Sequence, residues 1–418
     1  MDSATAADAG IRIDFRRYLA ARVVSVAGSL ISVVALPVLV YQLTGSPGWT
    51  SAVAVAEALP YLLFGLIAGA IADRVRRRRL MIGLDLATGA LLASIPLAWS
   101  LDMLTAGHVL LAGFAIQTLF VFFDAANFGA LPTLVGKARL TSAYSTLYGA
   151  TTIAEVAVPP LAGLAVAIIA PAPLIALNAV TAVASALLIR AIVRPLSTDT
   201  PETRRPVTIL ADIGAGLSFI WGNRVVRLLT LVGTTHAAAG GAWVAMLVPF
   251  ADHTLGVAAS GDARLAALFA CWGIGGVLAA RIVPRLGARL GQARLALTAL
   301  PCSLLAAVAT LLTTHWLAAV VAVTCWGTAH SVVVLNAVTY RQQVSPDHLQ
   351  ARVNTTGRML AWGVGQPVGA AVAGAVAVAG AGARGGLAAG ATLLAIGVAV
   401  AWLDPTLRRA QHSTKESE

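Results

Sequence analysis

The sequence predicts an all-α integral membrane protein with twelve transmembrane helices arranged as two parallel-related six-helix halves. Three observations predict it: repeated apolar runs near the length of a bilayer crossing, basic residues confined to alternate loops, and an internal repeat at half the chain length. The chain is 58% hydrophobic and 11% charged, with mean hydropathy +0.83. A water-soluble surface on a chain of this size needs far more charge. A helix needs about 20 apolar residues to cross the hydrocarbon, and runs of about that length lie at 19–43, 51–72, 80–100, 107–131, 142–169, 172–193, 227–250, 263–283, 293–313, 316–340, 357–379 and 386–403. Numbering the loops from a cytoplasmic Met1, all of the 29 Lys and Arg except Arg264 and Arg384 fall on the cytoplasmic side. That bias predicts a multi-pass protein of the inner (plasma) membrane with both termini cytoplasmic. It also accounts for the net charge of +11 through the lipid bilayer, without a nucleic-acid partner. The first apolar run is too long for a cleavable signal and lacks a small-residue cleavage site.

The repeat has an offset of about 209 residues. Asn127–Val135 corresponds to Asn336–Val344, Leu140 to Leu349 and Thr146 to Thr355. Pro159 and Pro160 before Gly163 correspond to Pro367 before Gly369 and Gly374. An even number of spans in each half makes the repeats parallel, related by an axis along the membrane normal. The expected organisation is an N-terminal half at 1–193, a cytoplasmic linker at 194–226, and a C-terminal half with a cytoplasmic tail at 227–418. Pro195, Pro201 and Pro206 mark the linker, and Val207–Gly222 reads as an amphipathic surface helix. Gly65 and Gly69, then Gly273, Gly275 and Gly276, then Gly363, Gly365, Gly369 and Gly374 crowd three spans. Small residues let helices approach closely in lipid. They suit static packing and also surfaces on which helices rock.

The second and third spans are joined by a short segment, Gly69-Ala-Ile-Ala-Asp73-Arg74-Val-Arg76-Arg77-Arg78-Arg79. So short a connection makes an antiparallel hairpin with a carboxylate at one helix end beside a cluster of arginines. The segment resembles the loop signature G-x-x-x-D-R-x-x-R-R of the major facilitator superfamily, with Arg76 where many members carry a smaller residue. Further matches lie at Pro37, Tyr41-Gln42 and Gly45-Ser46-Pro47, then at Asn336, Arg341, Pro346-Asp347, Arg352-Val-Asn354, Arg358, Trp362-Gly363 and Pro367. Together they resemble the branch containing macrolide efflux pumps and the enterobactin exporter. The resemblance implies a twelve-span secondary exporter driven by the proton gradient. Two departures stand out: Gly28 is followed by Ser29 where many relatives carry an acid, and Pro159 replaces a glycine in the fifth-span pattern around Gly149, Pro160 and Gly163.

Ionisable groups inside hydrocarbon are costly and mark function. Glu57, Asp85, Asp124 and Glu155 are the acids well inside spans, all in the first half. Glu155, deepest, and Glu57 are the candidates for proton coupling, against a packing role. Asp85 and Asp124 lie near the cytoplasmic ends of their spans. They are expected to form a gating network with Gly69, Asp73, Arg74, Arg77 and Arg78, against a role in proton transport. Asp73 is further expected to face the positive N-terminal end of the eleventh helix. Glu57, Tyr61, Gly65 and Gly69 share one helix face. Tyr61, Gln117, Asn127, His236, Trp272, Trp326, His330 and Asn336 are candidates for lining a substrate cavity, each against a packing role. A lone buried histidine in particular is a hydrogen-bonded packing residue by default.

The expected function is a secondary transporter that exports a small amphipathic compound, such as a drug-like molecule, macrolide or siderophore. Export runs by proton antiport with alternating access around a midplane site. Uptake or facilitative transport by the same fold, or a nontransporting membrane scaffold, remain open. The expected partners are a small-molecule substrate and protons, with the chain working as a monomer. Scarce intramembrane charge argues against a channel. An enzyme is not expected, because no H-E-x-x-H, G-x-S-x-G or phosphate-binding loop occurs. No cofactor and no metal are expected: Cys271, Cys302 and Cys325 form no C-x-x-C pair, and read as small packing residues.

Overall fold

A computed structural model describes residues 3–136, 139–197, 214, 217–259, 261–345, 353, 356–357 and 359–405. Among these residues there are helices and short connections and no strand. The main helices are α1 (Ser3–Thr44), α2 (Pro47–Arg74), α3 (Arg77–Ser100), α4 (Ala106–Val135), α5 (Leu140–Ile168), α6 (Pro171–Arg190), α7 (Arg224–Leu255), α8 (Arg264–Leu290), α9 (Gln292–Leu312), α10 (Trp316–Val344), α11 (Gln366–Val376) and α12 (Gly382–Leu403). A wider π-turn at Met359–Gly365 precedes α11, and a kinked segment at Ala377–Ala381 follows it. Ten stretches among the described residues are long and apolar enough to cross a membrane. One of them, Met359–Leu403, divides into two helices at Gly380, whose φ of 104° is open to glycine and strained for other residues.

Each apolar run lies on a helix, and several helices outlast their runs. The seventh run ends near 250, but α7 continues to Leu255 and takes in Asp252 and His253. There Gly256 adopts a left-handed backbone, with the Val257 N–H bonded to the Ala251 carbonyl at 2.9 Å, and closes the helix. Helix starts are capped where the sequence offers a side chain. The Thr105 hydroxyl accepts from the His108 N–H at 3.2 Å, and Asn223 Oδ1 accepts from the Val226 N–H at 3.1 Å. Such caps satisfy donors that the helix itself leaves unbonded.

Contacts divide the chain into two compact units. One comprises Met1–Leu39 with Leu63–Ile209, and the other Val40–Leu62 with Leu210–Glu418. In the first unit a core forms around Tyr18, Met81, Phe123, Leu131, Leu134, Ile189 and Ile192. Leu196 of the expected linker is buried in it. Gly28 is bare because a Cβ there would overlap Asn178 and Thr181 of α6. One turn on, Asn178 Nδ2 donates to the Ser32 hydroxyl at 2.7 Å. The end of α6 is held from two sides. The buried Asp14 carboxylate accepts the N–H groups of Val193 and Arg194, the latter at 2.9 Å. Arg17 Nη1 donates to the Ala191 carbonyl at 2.6 Å, and Arg78 Nη2 donates to the carbonyls of Val193 and Arg194. Cations at the carbonyl end of a helix complement its dipole.

The second unit is assembled on close glycine crossings. A Cβ on Gly369 would overlap the Ala238 carbonyl of α7, one on Gly365 the Thr234 carbonyl, and one on Gly241 the Gln366 carbonyl. Gly275 of α8 lies as tightly against Gly327 and Thr328 of α10. The segment Val40–Leu62 joins this unit through Ser51 against Gly374 and Leu62 against Gly363. It is also bonded by the Tyr41 hydroxyl, which donates to Asp252 Oδ2 at 2.9 Å and lies 2.9 Å from His253 Nε2. In the adjoining loop Arg264 folds back on Asp262, Nη2 to Oδ2 at 2.6 Å. That hydrogen-bonded guanidinium holds the Asp262 carboxyl below the usual carboxylate range. The stretch expected as an amphipathic helix is described at 214 and 217–222, which are helical. Its remaining residues lie outside the described ones. Ile220 packs with Val226 and Val353.

Candidate functional site

Gly69 and Arg74 lie in the last turns of α2, and Arg77 and Arg78 open α3, with Val75 and Arg76 between. The Arg77 N–H donates to the Ser197 hydroxyl at 2.9 Å, and its Nη1 donates to the Gly129 carbonyl of α4 at 3.1 Å. Gly129 is bare because the Arg77 guanidinium occupies the space of a Cβ. The arginines therefore tie α3 to α4 and to the end of α6. The side chain of Asp73 lies outside the described residues, as do Pro346, Asp347, Arg352, Asn354, Thr355 and Arg358.

Asp85 is buried on α3, beside Ser185 of α6 and Arg22 of α1. Asp85 Oδ2, the Ser185 hydroxyl and two Arg22 nitrogens, Nε and Nη1, complete no hydrogen bond. The Arg22 guanidinium lies 5.2 Å from the centroid of the Phe123 ring, a cation–π contact. Tyr18, one turn before Arg22, donates its hydroxyl to Asn127 Oδ1. It lies in the fields of Arg22, Tyr144 and Asp124. Asn127, expected to line a cavity, is thus engaged with α1. Sequence reasoning missed Tyr18 and Arg22. The available signal was Arg22, a cation four residues into the first apolar run.

Gln117 is half-buried on α4. Glu155 lies on an exposed face of α5 with Thr152 and Ile153. Glu57 is half-buried on α2 and belongs to the second unit, although by sequence it lies in the first half. Tyr61, one turn further on, meets the Trp362 ring edge-on with centroids 5.9 Å apart.

The remaining candidates of the second unit converge. His236 on α7 is fully buried, with Nε2 at 3.2 Å from the Ser303 hydroxyl of α9. Its ring centroid lies 5.5 Å from that of His330 on α10, and His330 lies 4.9 Å from Trp272 on α8. Trp326 meets Trp272 edge-on at 5.4 Å and Trp243 at 5.6 Å, while Trp243 stacks on Trp272 at 6.3 Å. Edge-on and offset pairs are the favoured aromatic geometries. The sequence showed two separate histidines and scattered tryptophans. The glycine crossing of α8 and α10 brings Trp272 to His330 and Trp326, and α7 adds His236 and Trp243. Asn336 is buried, and its Nδ2 donates to the Gln292 carbonyl at the start of α9 at 3.0 Å. Cys271 is buried, whereas Cys302 and Cys325 are exposed. Among the described residues no three His, Cys, Asp or Glu side chains group as metal ligands.

The chain belongs to the Major Facilitator Superfamily, whose profile matches residues 18–360. It is similar to Multidrug efflux pump Tap of Mycobacterium tuberculosis, with 31% identity over 247 residues, 56% of this chain and 58% of that protein. It is also similar to Macrolide efflux protein A of Streptococcus pyogenes, with 25% identity over 229 residues, 54% of this chain and 55% of that one. The chain thus spans little more than half the length of these curated relatives. Among solved structures, the nucleoside transporter NupG superposes with a TM-score of 0.75 at 11% identity, covering 94% of this chain and 98% of that one. A bacterial homologue of the human lysosomal transporter Spinster gives 0.74 at 14%, covering 97% and 98%. At such identities the likeness is one of fold. With its many apolar helices, the chain is a multi-pass membrane protein.

Proposed function

We propose that the protein exports a small amphipathic compound from the cell by proton antiport with alternating access, working as a monomer in the inner (plasma) membrane. Both termini are cytoplasmic in this reading, which the distribution of Lys and Arg supports. The observation that carries the coupling is Glu155. It is a carboxylate far inside an apolar span, with no hydrogen-bond partner among the described residues, where charge is expensive unless it has work to do. Glu57 is the second candidate for the same role. The export direction and a drug-like or macrolide cargo are supported by the names of the two curated relatives. Gly69, Asp73, Arg74, Arg77, Arg78, Asp85 and Asp124 serve as the gating network. Tyr61, Gln117, Asn127, Asn336 and the aromatic residues around Trp272 contribute to substrate binding, directly or by fixing the helices that bind it.

The test uses purified protein in liposomes with an imposed pH gradient, a pH-sensitive dye inside, and ethidium or erythromycin as substrate. Substrate-dependent proton movement in the wild type, lost in Glu155→Gln, is the expected result. Accumulation that ignores the gradient would make the protein a facilitative carrier and end the antiport reading.

A further inference from the structure

His236 and His330 enter the second unit from different helices and meet in its interior. His236 is fully buried, and its Nε2 is bonded to the Ser303 hydroxyl. Its Nδ1 lies toward the Val232 carbonyl one turn back without completing a hydrogen bond of normal geometry. His330 Nδ1 has no partner either. The two rings are tilted by 35° with centroids 5.5 Å apart. His330 also lies against Gly240, one turn beyond His236, at ordinary contact distance. On its other side stands Trp272, and an indole face attracts an imidazolium.

We propose that His236 and His330 together form one proton-binding site in the second unit, holding a single shared charge. A neutral imidazole carries one donor and one acceptor nitrogen, so the pair with Ser303 retains an acceptor for an incoming proton. Two charges at this separation repel, so the pair takes one proton and not two. The stretches of helix that carry these residues hold no charge. None of the residues within seven positions of His236, Trp272, Ser303 or His330 is acidic or basic. The facing elements offer Ser303 from α9 to His236 and Trp272 from α8 to His330. Glu57 and Tyr61 ride on α2, which joins this unit at Gly363 and Gly374. The use of this site in transport rests on the antiport reading above. The binding of a proton there does not.

The pair carries its own reporter, because a protonated imidazole quenches a neighbouring indole more strongly than a neutral one. In nanodiscs, tryptophan emission of the wild type falls in one step on acidification. The step is lost in His330→Gln and in Trp272→Phe, and it moves along the pH axis in His236→Gln. A wild type without a step, or a step unchanged in His330→Gln, overturns the proposal. For a variant that does not fold, nitrogen NMR of histidine-labelled wild-type protein reads the same protonation, and imidazoles neutral throughout the mildly acid range overturn it. Gradient-driven ethidium flux in liposomes separates the two readings. Flux that ignores the gradient in the wild type removes antiport and leaves the site. Gradient-driven flux intact in His330→Gln removes the site from coupling and leaves antiport.

Discussion

The two units solve the same problem by different means. In lipid no hydrophobic force draws helices together, so close packing or polar bonds must do it. The first unit has one bare crossing, Gly28 against α6, and otherwise uses charge: Asp14, Arg17 and Arg78 clasp the end of α6, Arg77 spans to α4, and Arg22 lies beside Asp85. The second uses bare backbone, with Gly241, Gly275, Gly365 and Gly369 at crossings where a methyl group has no room. Repeat-related positions show the divergence. Asn127 accepts from Tyr18 on α1, whereas Asn336 donates to the start of α9.

That contrast can be broken in several places. The largest effect is expected at Gly369, because the Ala238 carbonyl stands where its Cβ would be. Gly369→Leu should yield no folded protein, and Gly369→Ala should cost about 1–3 kcal/mol or more, read by thermal unfolding in detergent. Gly69 in the first unit has open space where a Cβ would stand, among the described residues. Gly69→Ala should therefore leave stability within about 0.5 kcal/mol, and a Gly69→Ala protein as unstable as Gly369→Ala would erase the distinction. Next comes Asp14→Ala, which removes the buried acceptor of two backbone N–H groups. Hydrogen bonds to charged groups contribute about 1.5–3 kcal/mol, and a loss of that order is expected in the same assay.

A double-mutant cycle of Arg22→Met with Asp85→Asn should show coupling of about 0.5–3 kcal/mol. Strict additivity would mean that the two charges do not sense each other. The smallest effect belongs to Asp262. Its carboxyl is held below the usual range by Arg264, so its stabilising contribution is present above its unfolded pKa, about 3.9. It is lost as pH falls through the lower folded value. Asp262→Asn should leave acid stability below that window unchanged and reduce stability slightly above it. A larger loss on the acid side would reverse the sign.

The fold was legible because membrane helices write themselves in long apolar runs. The hairpin from Gly69 to Arg78 was legible for the same reason: two spans with so short a join leave one geometry. The convergence of His236, His330 and Trp272 was not, since hydropathy gives a helix and says nothing of which faces meet. Those faces are set by Gly275 against Gly327, a contact between residues fifty-two positions apart. Tyr18 and Arg22 escaped because an apolar run with one cation reads as a span with a basic end. The grouping of Val40–Leu62 with the second unit escaped as well, because it depends on Tyr41, Ser51 and Leu62 meeting residues far along the chain.

A π-turn before α11 and a kink after it set this short helix apart from its neighbours. Its eleven residues run between the looser turn at Met359–Gly365 and the non-helical backbone of Gly380. One residue is worth about 100° of rotation in an α-helix. Tightening the π-turn to an α-turn would swivel the short segment about its own axis by about that angle, with the kink at Gly380 taking up the rotation. The face bearing Gly369 would leave Ala238, and another would take its place. Such a movement is a change of phase, and labelling of single cysteines along Gln366–Val376 at two pH values would read it as a pattern of accessibility advancing around the helix.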